Sequence, residues 1–337
     1  MLGMSARIGL LLAEGLPFDE TVAVGVAAED AGFDSVWHVE IQREPFVPLA
    51  AIAARTSRIR VGSGVAIWAR SPVLAALTAA NLDELSNGRF VYGLGTGPPD
   101  WNRRFHGMGY ERPVRRIREY VDVVRGVWTA HDGAVFDYEG ELYRVEGFSR
   151  AIGQRRERIP VVLAGVRKGM LELAGEIADG VLCNVFTTGP YLAQFALPHL
   201  ERGLARGGRS RSDLEVAGVV TAAVNSDRAT ARRWARHHLA FYGVIPYFDT
   251  MFAIHGFERE AAAIRAAAAT GDTAGMIAAV SEEMIDVFSI AGTPDEARAQ
   301  LAGWSALDLP VLFPPAFALG ADEIAANQRA LIDTFAT

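Results

Sequence analysis

Short apolar, β-branched runs alternate along this sequence with amphipathic stretches of helical period, giving eight strand-plus-helix units. Strand-like runs include Arg7 to Leu12, Ser35 to Val39, Ile59 to Val65, Arg89 to Leu94, Leu214 to Val224, Ile285 to Ala291 and Pro310 to Phe313. Helix-like stretches include Asp19 to Ala31, Pro113 to Thr129 and Tyr191 to Ala205. Runs that carry no polar alternation suit strands covered on both faces, as parallel strands are. Parallel strands need crossovers, and eight units match closure. The pattern therefore predicts an α/β fold of the (β/α)8 TIM-barrel kind rather than an open doubly wound sheet. At 337 residues the chain suits one barrel of roughly 250 residues plus insertions. A single domain is expected over 1–337. A hairpin insertion is expected at 131–147, where Gly133 and Gly140 punctuate an alternating run, and a helical insertion at about 241–283.

Ile59 to Gly97 is the most informative stretch. It reads as a strand, a helix opened by Ser71-Pro72 and stopped by Gly88, a second strand, and the turn Gly95-Thr96-Gly97. Gly62 and Gly64 end the first strand as glycines end the second, so two neighbouring strands offer bare backbone to a planar ligand. In a barrel the site lies at the strand C-terminal ends, which places Glu14, Glu40, Gly64, Gly95 to Gly97, Ala164 to Gly169 and Asn184 near one mouth. GLGTG alone is weak for a Rossmann fold, since the third glycine of that fingerprint is missing.

Lys168 is the single lysine among 33 basic residues. It lies in LAGVRKG, a strand-to-helix turn where free N–H groups together with Arg167 and Lys168 could hold a phosphate, or where two solvated cations simply close an ordinary turn. Glu14 and His106 are the candidate acids. Glu14 could instead cap a helix, and His106, before Gly107, could bond backbone in a loop that also carries Trp101. Trp68 and Arg70 could wall the pocket and pair with a carboxylate, or pack structurally. His237-His238 is no metal pair, because adjacent helix positions do not share a face. The aromatic segment Phe241 to Phe257 is read as a lid over the mouth or as a dimer contact.

Composition narrows the functional classes. The net charge of −7 with no basic run argues against nucleic acid as a partner. One cysteine, Cys183, excludes an internal disulfide and a multi-cysteine metal site. No run is long and apolar enough for a membrane helix, and the opening residues make no convincing secretory signal. A cytoplasmic protein without metal or membrane partner is expected.

The ordered set AAEDAGFDSVWHVE, SRIRVGSGV, RSPVLAALTAANLDELSNGRFVYGLGTG, the His106-Gly107 pair, REYVDVVRGVW and AGTPDEA resembles the bacterial luciferase-like monooxygenase superfamily over nearly the whole chain. It resembles most closely the branch that uses the deazaflavin coenzyme F420 and includes methylenetetrahydromethanopterin reductases. That resemblance implies a non-prolyl cis peptide at Gly64–Val65 beneath the cofactor ring, a ring-lining turn at Gly95, Thr96 and Gly97, and a ring contact from Glu40. It also implies a phosphate loop made of Ala164, Gly165, Val166, Arg167, Lys168 and Gly169. Sugar-phosphate dehydrogenases of the branch carry a histidine and a glutamate where this chain has Ile41 and Pro98, so that activity is not expected. The implied function is F420-dependent hydride transfer to or from a small organic substrate, in an enzyme that commonly forms a homodimer. The alternatives are an FMN-dependent monooxygenase working with a separate flavin reductase, and a barrel that binds a flavin-type ligand without turnover.

Overall fold

The computed structural model describes residues 7–337, so the extreme N-terminus that precedes Arg7 lies outside the described residues. Eight strands are buried along most of their length: β1 (Gly9–Leu12), β2 (Ser35–His38), β3 (Arg60–Ser63), β4 (Phe90–Gly95), β5 (Val161–Ala164), β6 (Gly180–Cys183), β7 (Glu215–Val224) and β8 (Leu309–Phe313). Each pairs in parallel with the next, and β8 returns to β1. The barrel is therefore closed and leaves no edge in the ring. Helices between the strands bury their apolar faces against it, as the helix Pro113–Thr129 does with Ile117, Val121, Val124 and Trp128.

The N-terminal end of the barrel is tied by charge. Arg7 and Arg60 share Asp34, at 2.7 and 2.5 Å, and both reach Glu215, at 3.3 and 3.0 Å. Burial alone would raise the Asp34 carboxyl; the two guanidinium groups reverse that and hold it below its ordinary value.

Three expectations change. Ile285 to Ala291 is mostly helix (Glu282–Phe288), followed by a strand at Ser289–Gly292 that pairs only with the far end of β7 and stays outside the ring. A short apolar run does not distinguish a buried helix turn from a buried strand. The loop expected after Gly97 is a helix, Pro99–His106, with Pro in its first turn and Gly107 at φ 62° ending it. The helix expected over Tyr191 to Ala205 is interrupted by a π-helical turn at Leu192–Ala196, next to Pro198, whose ring would collide with the carbonyl four residues back in a regular helix.

Beyond the barrel, strands Phe136–Glu139 and Arg144–Phe148 form an antiparallel hairpin. Its turn is held by Glu119, whose buried carboxylate accepts the N–H groups of Glu141, Leu142 and Tyr143 at 2.8 to 3.2 Å. After the helix Arg228–Gly243, the helices Asp249–His255, Glu258–Ala269 and Thr273–Ala278 precede the strand at Ser289. Phe248 and Phe252 of this region pack on Phe186, with ring centroids 5.1 and 4.8 Å away, and His255 Nε2 lies 2.8 Å from Thr188 Oγ1. The chain between Val244 and Phe248 is thereby pinned at the mouth of the barrel.

Candidate active site

The mouth begins where β3 stops being regular. Val61 and Gly62 lie opposite Phe90 and Val91, whereas Ala66 and Ile67 lie opposite Leu94 and Gly95. Five steps on one strand thus match four on the other, which is a bulge. The Gly64–Val65 peptide within it is cis. Ser63 repairs the interrupted ladder: its hydroxyl donates to Gly93 O at 2.8 Å and accepts Gly93 N–H at 2.9 Å. A Cβ on Gly93 would sit 1.8 Å from Ser63 O, so β4 can approach the bulge this closely only as glycine.

Residues after the bulge are held in the same way. Glu40 accepts the Ile67 N–H at 2.7 Å and pairs with Arg70 at 2.8 Å, and Arg70 also reaches Glu44 at 3.2 Å. The glycine turn is clamped by Asn102, fully buried on the helix that sequence reading takes for a loop. Its amide donates to Thr96 O at 2.8 Å and to Pro98 O at 3.0 Å, and its oxygen accepts the Trp68 indole N–H. Tyr110 donates to Thr96 Oγ1 at 2.8 Å, and Gly97 takes φ 62°, a region that favours glycine.

A cavity of about 490 Å³ opens above this floor. It reaches the turn after β5, where the helix Lys168–Ile177 begins at Arg167 without a side-chain cap. Its first N–H groups therefore have no intrahelical acceptor, and the positive end of the helix dipole points out of them. Tyr191 fixes the turn by donating to Val166 O at 2.8 Å.

Glu40, Gly64, Val65, Gly95, Thr96, Gly97, Ala164, Gly165, Val166, Arg167 and Gly169 all line this one cavity. Lys168 does not line it; it is exposed, and what it adds there is its backbone N–H at the helix start. His106 is also exposed at the end of its helix and does not line the cavity. Glu14 is half-buried just outside the lining, with Oε1 buried and unpartnered. Burial raises its carboxyl above the ordinary range, against the pull of the Gln42 and Arg43 amides and the Arg43 charge. Trp68 is fully buried and braces Asn102 rather than walling the pocket. His238 is buried against Phe313 and Tyr242, 4.7 and 4.9 Å between ring centroids.

Sequence reading assigns no site role to Tyr110, Asn102 or Ser63, and treats Phe241, Tyr242 and Tyr247 only as part of a lid or dimer segment; these three line the cavity. No helix of the described residues is long and apolar enough to cross a membrane.

The sequence profile of the luciferase-like monooxygenase family matches residues 3–307. A 5,10-methylenetetrahydromethanopterin reductase of Archaeoglobus fulgidus is 34% identical over 277 residues, covering 80% of this chain and 81% of that protein. Among solved structures, the coenzyme F420-dependent tetrahydromethanopterin reductase from Methanopyrus kandleri superposes with a TM-score of 0.83 at 26% identity, over 98% of this chain and all of the other. The oxygenating constituent of 3,6-diketocamphane monooxygenase from Pseudomonas putida, solved with FMN, shares the fold at a TM-score of 0.68 and 17% identity, over 99% of this chain and 98% of the other.

Proposed function

This chain belongs to the luciferase-like monooxygenase family, and we propose that within it the protein is an F420-dependent oxidoreductase that moves hydride between the deazaflavin and a small organic substrate. One observation carries the reading: a single cavity joins the flat floor at Val65 and Gly95 to Gly97 with the uncapped helix start at Arg167. A planar ring with an anionic tail fits that shape, with no side chain rising from the glycines and free N–H donors where the charge would lie. Similarity to the coenzyme F420-dependent tetrahydromethanopterin reductase of Methanopyrus kandleri supports the deazaflavin. FMN would meet the same floor and the same donors, and the titration below separates the two.

When bound, the deazaflavin supplies a two-electron hydride carrier that, unlike a flavin, has no N5–C4a pair to activate dioxygen. The chain's own residues bind, orient and shield. Val65 and the glycine turn support the ring. Arg167 and the N–H groups of Lys168 and Gly169 hold the phosphate. Phe241, Tyr247 and Phe248 keep water from the reacting faces. Of the two acids expected from sequence, Glu14 keeps a place in the proposal, since its carboxyl, raised by burial, stands beside the mouth; His106, exposed and outside the cavity, drops out.

Titration of the purified protein with F420 and separately with FMN, followed by fluorescence and ultrafiltration, tests the assignment. Retention of F420 in preference to FMN is expected. Preferential FMN retention with flavin-dependent oxygen uptake would replace it with the monooxygenase reading, and retention of neither would remove both.

A further inference from the structure

The cavity has two chemically distinct parts. One runs from Val65 and the glycine turn to Arg167 and is the part assigned above to the cofactor. The other is bounded by Leu11, Val39, Ile41, Val219, Phe241 and Phe313. Among the described residues that line the whole cavity, only Glu40 and Arg167 carry charge. Neither is open to a charged guest in the second part. Glu40 is occupied by the Ile67 N–H and Arg70, and Arg167 stands at the other end, its guanidinium carbon 5.9 Å from the centre of the Tyr247 ring. An ion seated against the apolar walls would give up its hydration with no counter-charge to replace it. A pterin would likewise leave most of its donors and acceptors unanswered.

The polar side chains lining this part are Asn184 and Tyr242, and the half-buried Glu14 carboxyl lies just outside the lining. Asn184 is exposed and uses Oδ1 to accept the Val185 N–H at 2.8 Å, so its Nδ2 donor sits on a side chain open to solvent rather than on a fixed wall. The Tyr242 ring is 8% exposed and fixed between His238, Phe241 and Phe313, with centroids 4.9, 5.1 and 6.2 Å away. Burial, and the nearby Glu14 charge, keep the phenol far above its ordinary pKa, so at neutral pH it is a hydroxyl donor held by a rigid ring. Among the polar groups of this part, Tyr242 is thus the donor that a rigid, buried ring holds in place amid hydrocarbon; the Tyr247 phenol stands toward Arg167 and the Asn184 amide belongs to an exposed side chain.

We propose that this part of the cavity takes an uncharged, largely apolar molecule bearing a single carbonyl-type oxygen, and that Tyr242 is the specificity-determining residue that donates a hydrogen bond to that oxygen. The proposal rests on the oxidoreductase reading for its biological meaning, but its test does not require the cofactor.

Four probes are titrated against the full protein by tryptophan fluorescence, alone and again in the presence of F420: 4-phenylbut-3-en-2-one, its para-carboxylate derivative, the oxygen-free hydrocarbon 4-phenylbut-1-ene, and 5-formyltetrahydrofolate. The enone is expected to bind at least about tenfold more tightly than the carboxylate or the folate. Tyr242→Phe should weaken the enone about three- to tenfold, the worth of one neutral hydrogen bond, while leaving the affinity for the hydrocarbon and for F420 unchanged. Carboxylate or folate binding as tight as the enone would overturn the proposal. So would a Tyr242→Phe protein that loses enone and hydrocarbon affinity alike, since the phenol would then act only through packing. If neither F420 nor FMN binds but the enone preference and its dependence on Tyr242 persist, the cofactor reading falls and the inference about this pocket stands.

Discussion

Replacing Ser63 by alanine removes one oxygen and should damage the floor of the cavity from beneath. In the folded protein that oxygen is both acceptor for Gly93 N–H at 2.9 Å and donor to Gly93 O at 2.8 Å, at a side chain with no exposure to solvent. The bulge leaves Gly93 facing a hydroxyl where a regular ladder would supply backbone. Leaving a buried donor unpaired costs about 1–3 kcal/mol, and the carbonyl loses a partner as well. The expected total is about 2–4 kcal/mol of stability. A chain of this length has an unfolding entropy of roughly 0.7 kcal/mol/K near its midpoint, so the midpoint should fall by about 3–6 °C. Chemical denaturation and calorimetry at pH 7 measure both, and fluorescence titration reports whether F420 affinity falls in parallel. Gly93→Ala should be worse still, because its methyl would lie 1.8 Å from Ser63 O. A Ser63→Ala protein within about 0.5 kcal/mol of the parent would show that the hydroxyl is not a structural rung, and would refute the description of the floor.

Other outcomes follow from the same geometry. Asn102→Leu should lower stability by about 3 kcal/mol, because it leaves the Trp68 N–H and the Thr96 and Pro98 carbonyls without their partner, and should weaken F420 binding measured by fluorescence. Glu40→Gln keeps an acceptor for Ile67 N–H but loses the Arg70 charge pair; F420 affinity is expected to fall about tenfold, a loss of about 1.4 kcal/mol, with circular dichroism unchanged. His238 is held neutral by burial, its pKa pushed down to about 3 from 6.5. The unfolded chain then binds the extra proton between those values, so stability present above pH 6.5 is lost as pH falls, at up to about 1.4 kcal/mol per pH unit from this group. His238→Leu should flatten that part of a denaturation-against-pH profile. Burial works to raise the Glu29 carboxyl, but the Ile59, Arg58 and Ser57 N–H groups outweigh it and hold it below its ordinary value. Glu29→Gln should therefore cost about 2 kcal/mol at pH 7, and the gap to the parent should close as the pH drops below the ordinary carboxylate range and through the lowered folded-state value.

The barrel was readable from the sequence because its signals are local. β-branched runs, Ser71-Pro72, Gly88 and the Gly95 to Gly97 turn each report their own backbone conformation, and their order implies the sheet. The rim glycines were legible for the same reason. Asn102 and Ser63 were not, since each acts on a segment that only the fold brings near: Asn102 bonds Trp68 across the turn, and Ser63 bonds Gly93 across the sheet. The helix at Pro99–His106 hid behind Pro98-Pro99 and a charged run, and with it went the misplacement of His106, which a loop could have turned inward but a helix end turns to solvent. Tyr242 is legible in the sequence only as one member of an aromatic segment read as a lid or a dimer contact, because its own place depends on walls contributed by β1, β7 and β8. The strand expected over Ile285 to Ala291 forms only from Ser289 onward, because packing, not the apolar run itself, decides between helix and strand for Ile285 to Phe288.

The central claim is that a tricyclic redox ring lies on Val65 and the Gly95 to Gly97 turn while its anionic tail meets the start of the helix at Arg167. A crystal structure of the complex with oxidised F420 tests this most directly. The account predicts ring density against Val65 and the glycine turn, phosphate density within hydrogen-bond distance of the Lys168 and Gly169 amides, and open volume beside Tyr242. Density for the ring elsewhere on the barrel, or a phosphate bound away from residues 165–169, would contradict it.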